Sequence, residues 1–212
     1  MHIPDGILPA TVCLGGYATA GAATWYALRK INHQGNPREG IPRASLLTAA
    51  FLVASWIHIP IPPASVHLVL NGLLGAVLGY FAMPAILIGL FFQAVLFQHG
   101  GLTTLGVNAT VMGVTALLAH QIFQLRKVLG ASSRTALAVC GFLAGAGGIA
   151  LAAAAVFTIL FSTIPAHLDV QTERAGIYAL TLAHVPLAVI EGIFTAMLVL
   201  FLQKVKPEVL ED

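Results

Sequence analysis

Two histidines stand where an apolar chain has no packing use for them. The chain opens MHIPDG, with His2 beside its amino terminus, and later reads IPPASVHLVLNG, with His67 near the start of a hydrophobic run. A free terminal amine followed by histidine is a chelator. The amine of Met1, the deprotonated backbone nitrogen of His2 and the His2 ring nitrogen close a five-membered and a six-membered ring around one ion. A second imidazole completes four nitrogens, and planar nitrogen ligation suits Ni(II) or Cu(II) rather than Mg(II), Ca(II) or a structural Zn(II). Taken alone, the first six residues read more simply as an unconstrained terminal histidine. The weight shifts only if His67 reaches the same side of the protein.

The elements that must position these groups follow from composition. With 58% apolar residues, 8% charged residues and a mean hydropathy of +0.90, the chain is an integral membrane protein. Its 212 residues make one transmembrane domain, 1–212, with no polar stretch long enough for a second, water-soluble one. Apolar stretches predict an all-α polytopic bundle of about seven transmembrane helices, near 8–28, 44–58, 66–82, 84–98, 104–124, 135–163 and 176–203. Pro60, Pro62, Pro63 and Pro84 crowd the second to fourth and blur their ends. Lys and Arg collect in cytoplasmic loops. Nine of the ten, Arg29, Lys30, Arg38, Arg43, Arg126, Lys127, Arg134, Lys204 and Lys206, fall on one side if the amino terminus is outside and the carboxyl terminus is cytoplasmic. His67 then lies on the outer side with Met1. No basic region or small-residue cleavage site precedes the first span, so Met1 is expected as the mature start.

Other polar residues carry weaker signals. His67, Asn71, Gly75 and Gly79 recur at i+4 and predict one helix stripe, polar at the rim and small below, which packs closely on a neighbour. Asp5 reads as a helix cap or as a carboxylate that orients His2, and Ser65 as a cap of the third helix. Glu191 lies in the middle of the last predicted span and shares a face with His184 and Thr195. An intramembrane carboxylate suggests either ion passage or a hydrogen-bonded packing role, for instance to the amino-terminal segment. His58, His99 and His167 read as ordinary interfacial histidines, and His33 and His120 lie on the cytoplasmic side. Cys13 and Cys140 lack CxxC spacing and read as packing residues.

Several chemistries drop out. The sequence has no GxxxxGK[ST] phosphate loop, no HExxH, no GxSxG and no basic patch for nucleic acid. ATP hydrolysis would have to come from partners.

Four blocks, MHIPDG, SVHLVLNGLLG, QHGGLTTLGVNATVMG and HVPLAVIEGIFT, occur in the order found in the cobalt and nickel substrate-binding membrane subunits of energy-coupling-factor transporters. The chain resembles this CbiM/NikM family over nearly its whole length. The resemblance implies a non-enzymatic subunit of the cell (cytoplasmic) membrane, usually of seven helices. It would capture Ni²⁺ or Co²⁺ outside and hand it through an assembly with a transmembrane coupling subunit, cytoplasmic ATPase subunits and, in some systems, a small accessory membrane subunit. It assigns the metal-binding roles to Met1, His2 and His67. One departure concerns Gly106-Val107-Asn108-Ala109-Thr110-Val111-Met112, where a second Asn is expected in place of Val111. Asn108 keeps the first. The planar chelate and Asn71 favour nickel over cobalt. The competing class is a self-sufficient secondary transporter that exchanges protons through Glu191 and His184.

Overall fold

The computed structural model describes residues 2–34, 36–61, 64–128, 133–165 and 169–210, with only the backbone of 58–61 and 64–66. Apart from one short hairpin, the regular structure of these residues is helical. Pro9 precedes α1 (Ala10–Asn32), which ends with Arg29 and Lys30 in its last turn, where cations favour the carbonyl end of the helix dipole. A 3-10 turn at Pro37–Glu39 leads into α2 (Gly40–Ala54).

The proline-crowded stretch departs from the helices expected over 44–58 and 66–82. Strands β1 (His58–Ile61) and β2 (Ala64–His67) pair antiparallel, with His58 opposite His67. Proline lacks the amide hydrogen that a helix interior needs, and so a cluster of prolines is confined to turns and short edge pairs. Helix α3 (Asn71–Leu78) begins only after Leu70 takes a left-handed φ of 56°. The expected four-residue stripe is therefore split. His67 ends a strand, Asn71 and Gly75 belong to α3, and Gly79 (φ 58°) lies beyond its end, in the turn that redirects the chain.

Helix α4 (Ala82–Phe97) carries Pro84 in its first turn, where the missing N–H costs no hydrogen bond. Next come α5 (Leu105–Ala109), a π-helical segment (Thr110–Val114) and α6 (Thr115–Val128), which form one helical stretch. The last two helices are α7 (Arg134–Ser162), capped by Ser133, and α8 (Val170–Val205), capped by Asp169. Among the described residues, four stretches are long and apolar enough to cross a bilayer: Asn71–Phe97, Leu105–Val128, Arg134–Ser162 and Val170–Val205. The first is interrupted at Gly79. Large apolar side chains such as Val185, Val189, Ile193 and Met197 on α8 stay exposed, as a lipid-facing surface requires.

Every residue of α3 is buried. That is achieved by backbone approach: a Cβ at Gly72 would overlap the Ala144 carbonyl of α7, and one at Gly75 would overlap the Ala116 carbonyl of α6. The short helix is wedged against α6 and α7, and it holds what precedes it.

Candidate metal centre

The amino-terminal segment is seated by its backbone. Ile3 is buried, and its N–H donates to Asn108 Oδ1 at 2.9 Å while its carbonyl accepts from Asn108 Nδ2 at 3.0 Å. Thr104 Oγ1 donates to the same carbonyl at 2.7 Å. One carboxamide thus pairs with a main chain as a neighbouring strand would. Asp5 accepts from the amides of Leu102 (3.1 Å) and Thr103 (2.9 Å) and from the Thr103 hydroxyl (2.5 Å). The Thr103 hydroxyl and these amides hold the Asp5 carboxyl below its ordinary value. Asp5 therefore fastens the loop that enters α5 and does not orient His2, because its carboxylate is taken up by Leu102 and Thr103.

That orienting role falls to Gln93 of α4, fully buried, whose Oε1 lies 2.8 Å from His2 Nε2. A carboxamide oxygen only accepts, so the His2 proton resides on Nε2 and Nδ1 keeps its lone pair. His67 shows the same logic: Nδ1 lies 2.9 Å from the Leu68 carbonyl and holds the proton, leaving Nε2 bare. These two bare nitrogens face each other at 3.2 Å. Burial first, then the amino-terminal charge and the imidazoles of His67 and His99, lower the His2 pKa well below the ordinary histidine value. Two lone pairs pointed together repel unless a cation lies between them.

His99 joins the pair, contrary to its reading as an ordinary interfacial histidine. Its Nε2 is 3.3 Å from His67 Nε2, and its ring meets that of His2 edge-on with centroids 4.3 Å apart. The placement comes from the end of α4, where Gln98 adopts φ 52° and the His99 N–H returns to the Gln93 carbonyl at 3.1 Å. This left-handed helix stop brings residues 93 and 99 to one side. His2, His67 and His99 are the metal-capable cluster among the described residues. Met1, His167 and the side chains of His58 and Ser65 lie outside the described residues.

The remaining predicted residues separate. Glu191, fully buried on α8, accepts from the amides of Val69 and of Leu70, the latter at 2.8 Å, and so grips the backbone two and three residues after His67. Its partner is this loop and not the amino-terminal segment. His184 spends its Nδ1 on the Leu180 carbonyl of its own helix at 2.7 Å and does not approach the cluster's bonding network. Asn71 donates to Thr115 Oγ1 (2.8 Å) and the Gly148 carbonyl (3.0 Å), and its oxygen accepts from the Gly72 amide (2.9 Å). Its amide nitrogen thus ties α3 to α6 and α7, and its oxygen is taken up within α3. Val111 is buried core in the π-helical segment, and the clamp on Ile3 is made by Asn108 and Thr104.

Glu191→Gln puts an amide nitrogen against one of two backbone donors and leaves that donor unpaired. A buried unsatisfied amide costs about 1–3 kcal/mol, and the strain is delivered beside His67. We expect metal affinity roughly tenfold weaker in a competition titration. Unchanged affinity with impaired uptake would return Glu191 to a role in ion passage.

Comparison with known proteins identifies the family. Residues 2–209 match the CbiM family model, described as the cobalt uptake substrate-specific transmembrane region. A putative metal transport protein of Haemophilus influenzae is 32% identical, the match covering 99% of this chain and 97% of that one. The fused nickel transport protein NikMN of Rhodobacter capsulatus is 32% identical over 99% of this chain and 64% of its own length. A crystal structure of a transition metal transporter superposes with a TM-score of 0.79 at 25% identity, covering 97% of this chain and 93% of that one. The chain is a multi-pass membrane component of cobalt and nickel uptake and belongs to the CbiM family.

Proposed function

We propose that the protein captures Ni(II) at its outer face as the substrate-binding subunit of an ATP-driven importer. The observation that carries this reading is the pair of unprotonated ring nitrogens, His2 Nδ1 and His67 Nε2, held 3.2 Å apart by separate hydrogen bonds behind each ring. Nδ1 is also the His2 nitrogen that closes the six-membered ring with the residue's own backbone nitrogen. With the Met1 amine, these atoms supply the four corners of a plane, a geometry suited to nickel and less to cobalt. The same reading takes the bundle as seven spans, with the amino terminus outside and the carboxyl-terminal end, with Lys204 and Lys206, in the cytoplasm. ATPase and coupling subunits supply the energy, for the sequence has no phosphate loop.

Two features weigh against proton-coupled transport by this chain alone. Glu191 and His184 hold backbone groups and not each other, and α3 closes the space below the site by backbone contact.

The test is purified protein with a native Met1, loaded with nickel. It should bind one ion as a yellow, diamagnetic planar complex, and cells should accumulate nickel only when the ATPase and coupling subunits are co-expressed. Uptake by the chain alone would overturn the importer reading. Acidification from about pH 8 to pH 5 should weaken capture. The sign follows from protons competing for the amine, ordinarily near 7.7–8.0, and for the amide that only the metal ionises. His2 contributes little to the loss until lower pH, because burial keeps its ring neutral. Flat binding over this range contradicts an all-nitrogen chelate.

A further inference from the structure

The planar chelate uses two imidazoles, yet three converge. His99 reaches the cluster through a strained, non-glycine left-handed turn at Gln98, and its Nε2 is aimed at the metal-facing nitrogen of His67. The spacings also accommodate a tetrahedron. With metal–nitrogen bonds of about 2.0–2.1 Å, adjacent corners of a tetrahedron lie roughly 3.3–3.4 Å apart and those of a square about 2.8–3.0 Å. The two spacings around His67 are 3.2 Å to His2 and 3.3 Å to His99. One candidate ligand atom from each of the three residues lies within 4.8 Å of the others, so a turn of the His99 ring closes the third edge.

We propose that His2, His67 and His99 form a second, tetrahedral coordination mode that takes Zn(II) or high-spin Co(II), with water in the fourth position. This mode rests on the metal-capture reading for His2 and His67 but needs neither the Met1 amine nor an ionised amide. Zinc seldom displaces an amide proton and has no preference for a plane, so the three-imidazole face suits it where the terminal chelate does not. In the metal-free site a neutral His99 with its proton on Nε2 donates to His67 Nε2. The ion takes the position of that proton, which His99 accommodates by the other tautomer. Zinc so held blocks the planar site, because His2 Nδ1 and His67 Nε2 serve both modes.

The two modes predict opposite dependences. Intact protein with Met1 acetylated should lose nickel yet keep Zn(II) affinity within about threefold, and its Co(II) form should show the intense visible bands of a tetrahedral centre. His99→Ala with a free Met1 should weaken Zn(II) by roughly a hundredfold, as expected for loss of one of three protein ligands, and leave nickel within about threefold. Retained nickel binding certifies that the His99→Ala site is folded, and His99→Gln serves as a second variant of similar size. The proposal is overturned if zinc affinity is unchanged in both His99 variants, or if acetylation removes zinc together with nickel. Failure of the planar reading shows differently, as nickel binding that survives acetylation.

Discussion

A chain carrying an amino-terminal extension that resists trimming will insert and fold but bind nickel roughly a thousandfold more weakly, a loss of about 4 kcal/mol. The extension converts the Met1 nitrogen from an amine to an amide and breaks the five-membered chelate ring. What seats the rest of the segment does not depend on that amine. Asn108 holds Ile3 by its N–H and carbonyl, Asp5 holds the loop at residues 102–103, and Gln93 holds the His2 ring. The lost affinity therefore reports on ligation and not on folding. Proteolytic release of a native Met1 should restore nickel binding and uptake, with the terminus confirmed by mass spectrometry. A blocked chain that binds nickel as tightly as the native one removes the terminal chelate from the mechanism. A carboxyl-terminal tag is the matched control, and it should change nothing.

His67→Ala should weaken nickel by roughly a hundredfold while leaving the bundle intact. The ring ends a two-stranded hairpin, and its Nδ1 is held by the Leu68 carbonyl next to it. The loop's position is set instead from below, where Glu191 takes the Val69 and Leu70 amides and Asn71 ties α3 to its neighbours. Truncating the ring removes one corner of the plane and leaves those anchors in place. Equal affinity of the variant and the native protein in a competition titration excludes His67 as a ligand. A loss of thermal stability as large as the loss of binding would mean that the ring supports the hairpin.

The long apolar runs made α1, α5–α6, α7 and α8 legible, because burial in lipid demands length and hydrophobicity and little else. His2 was legible for a different reason: chelation by a chain end is local chemistry, fixed by two adjacent residues. The stretch from 58 to 70 was not. Its prolines signalled interruption, but hairpin pairing joins residues nine apart in sequence, His58 with His67, and a helical period carries no trace of that. Gln93 was hidden because α4 is apolar nearly all round, so one amide had no face to mark it. His99 was hidden because its position depends on Gln98 adopting a left-handed φ that sequence reserves for glycine, with Gly100 and Gly101 two and three residues on as the natural suspects. Glu191 stood out as an intramembrane carboxylate, yet nothing in the sequence could name two backbone amides about 120 residues away as its partners.

The clamp on Ile3 reads main-chain atoms alone, and so it counts residues without inspecting them. The distance from that clamp to the first nitrogen is set by the number of peptide units between, which makes the segment a ruler two residues long. Translation that begins one codon early or late yields the same bundle with its terminal amine displaced by about 3.3–3.6 Å, the reach of one extended residue. Under the proposed chelate, fidelity of start-codon selection by the ribosome, together with whichever enzymes finish the new amino terminus, becomes a determinant of nickel capture.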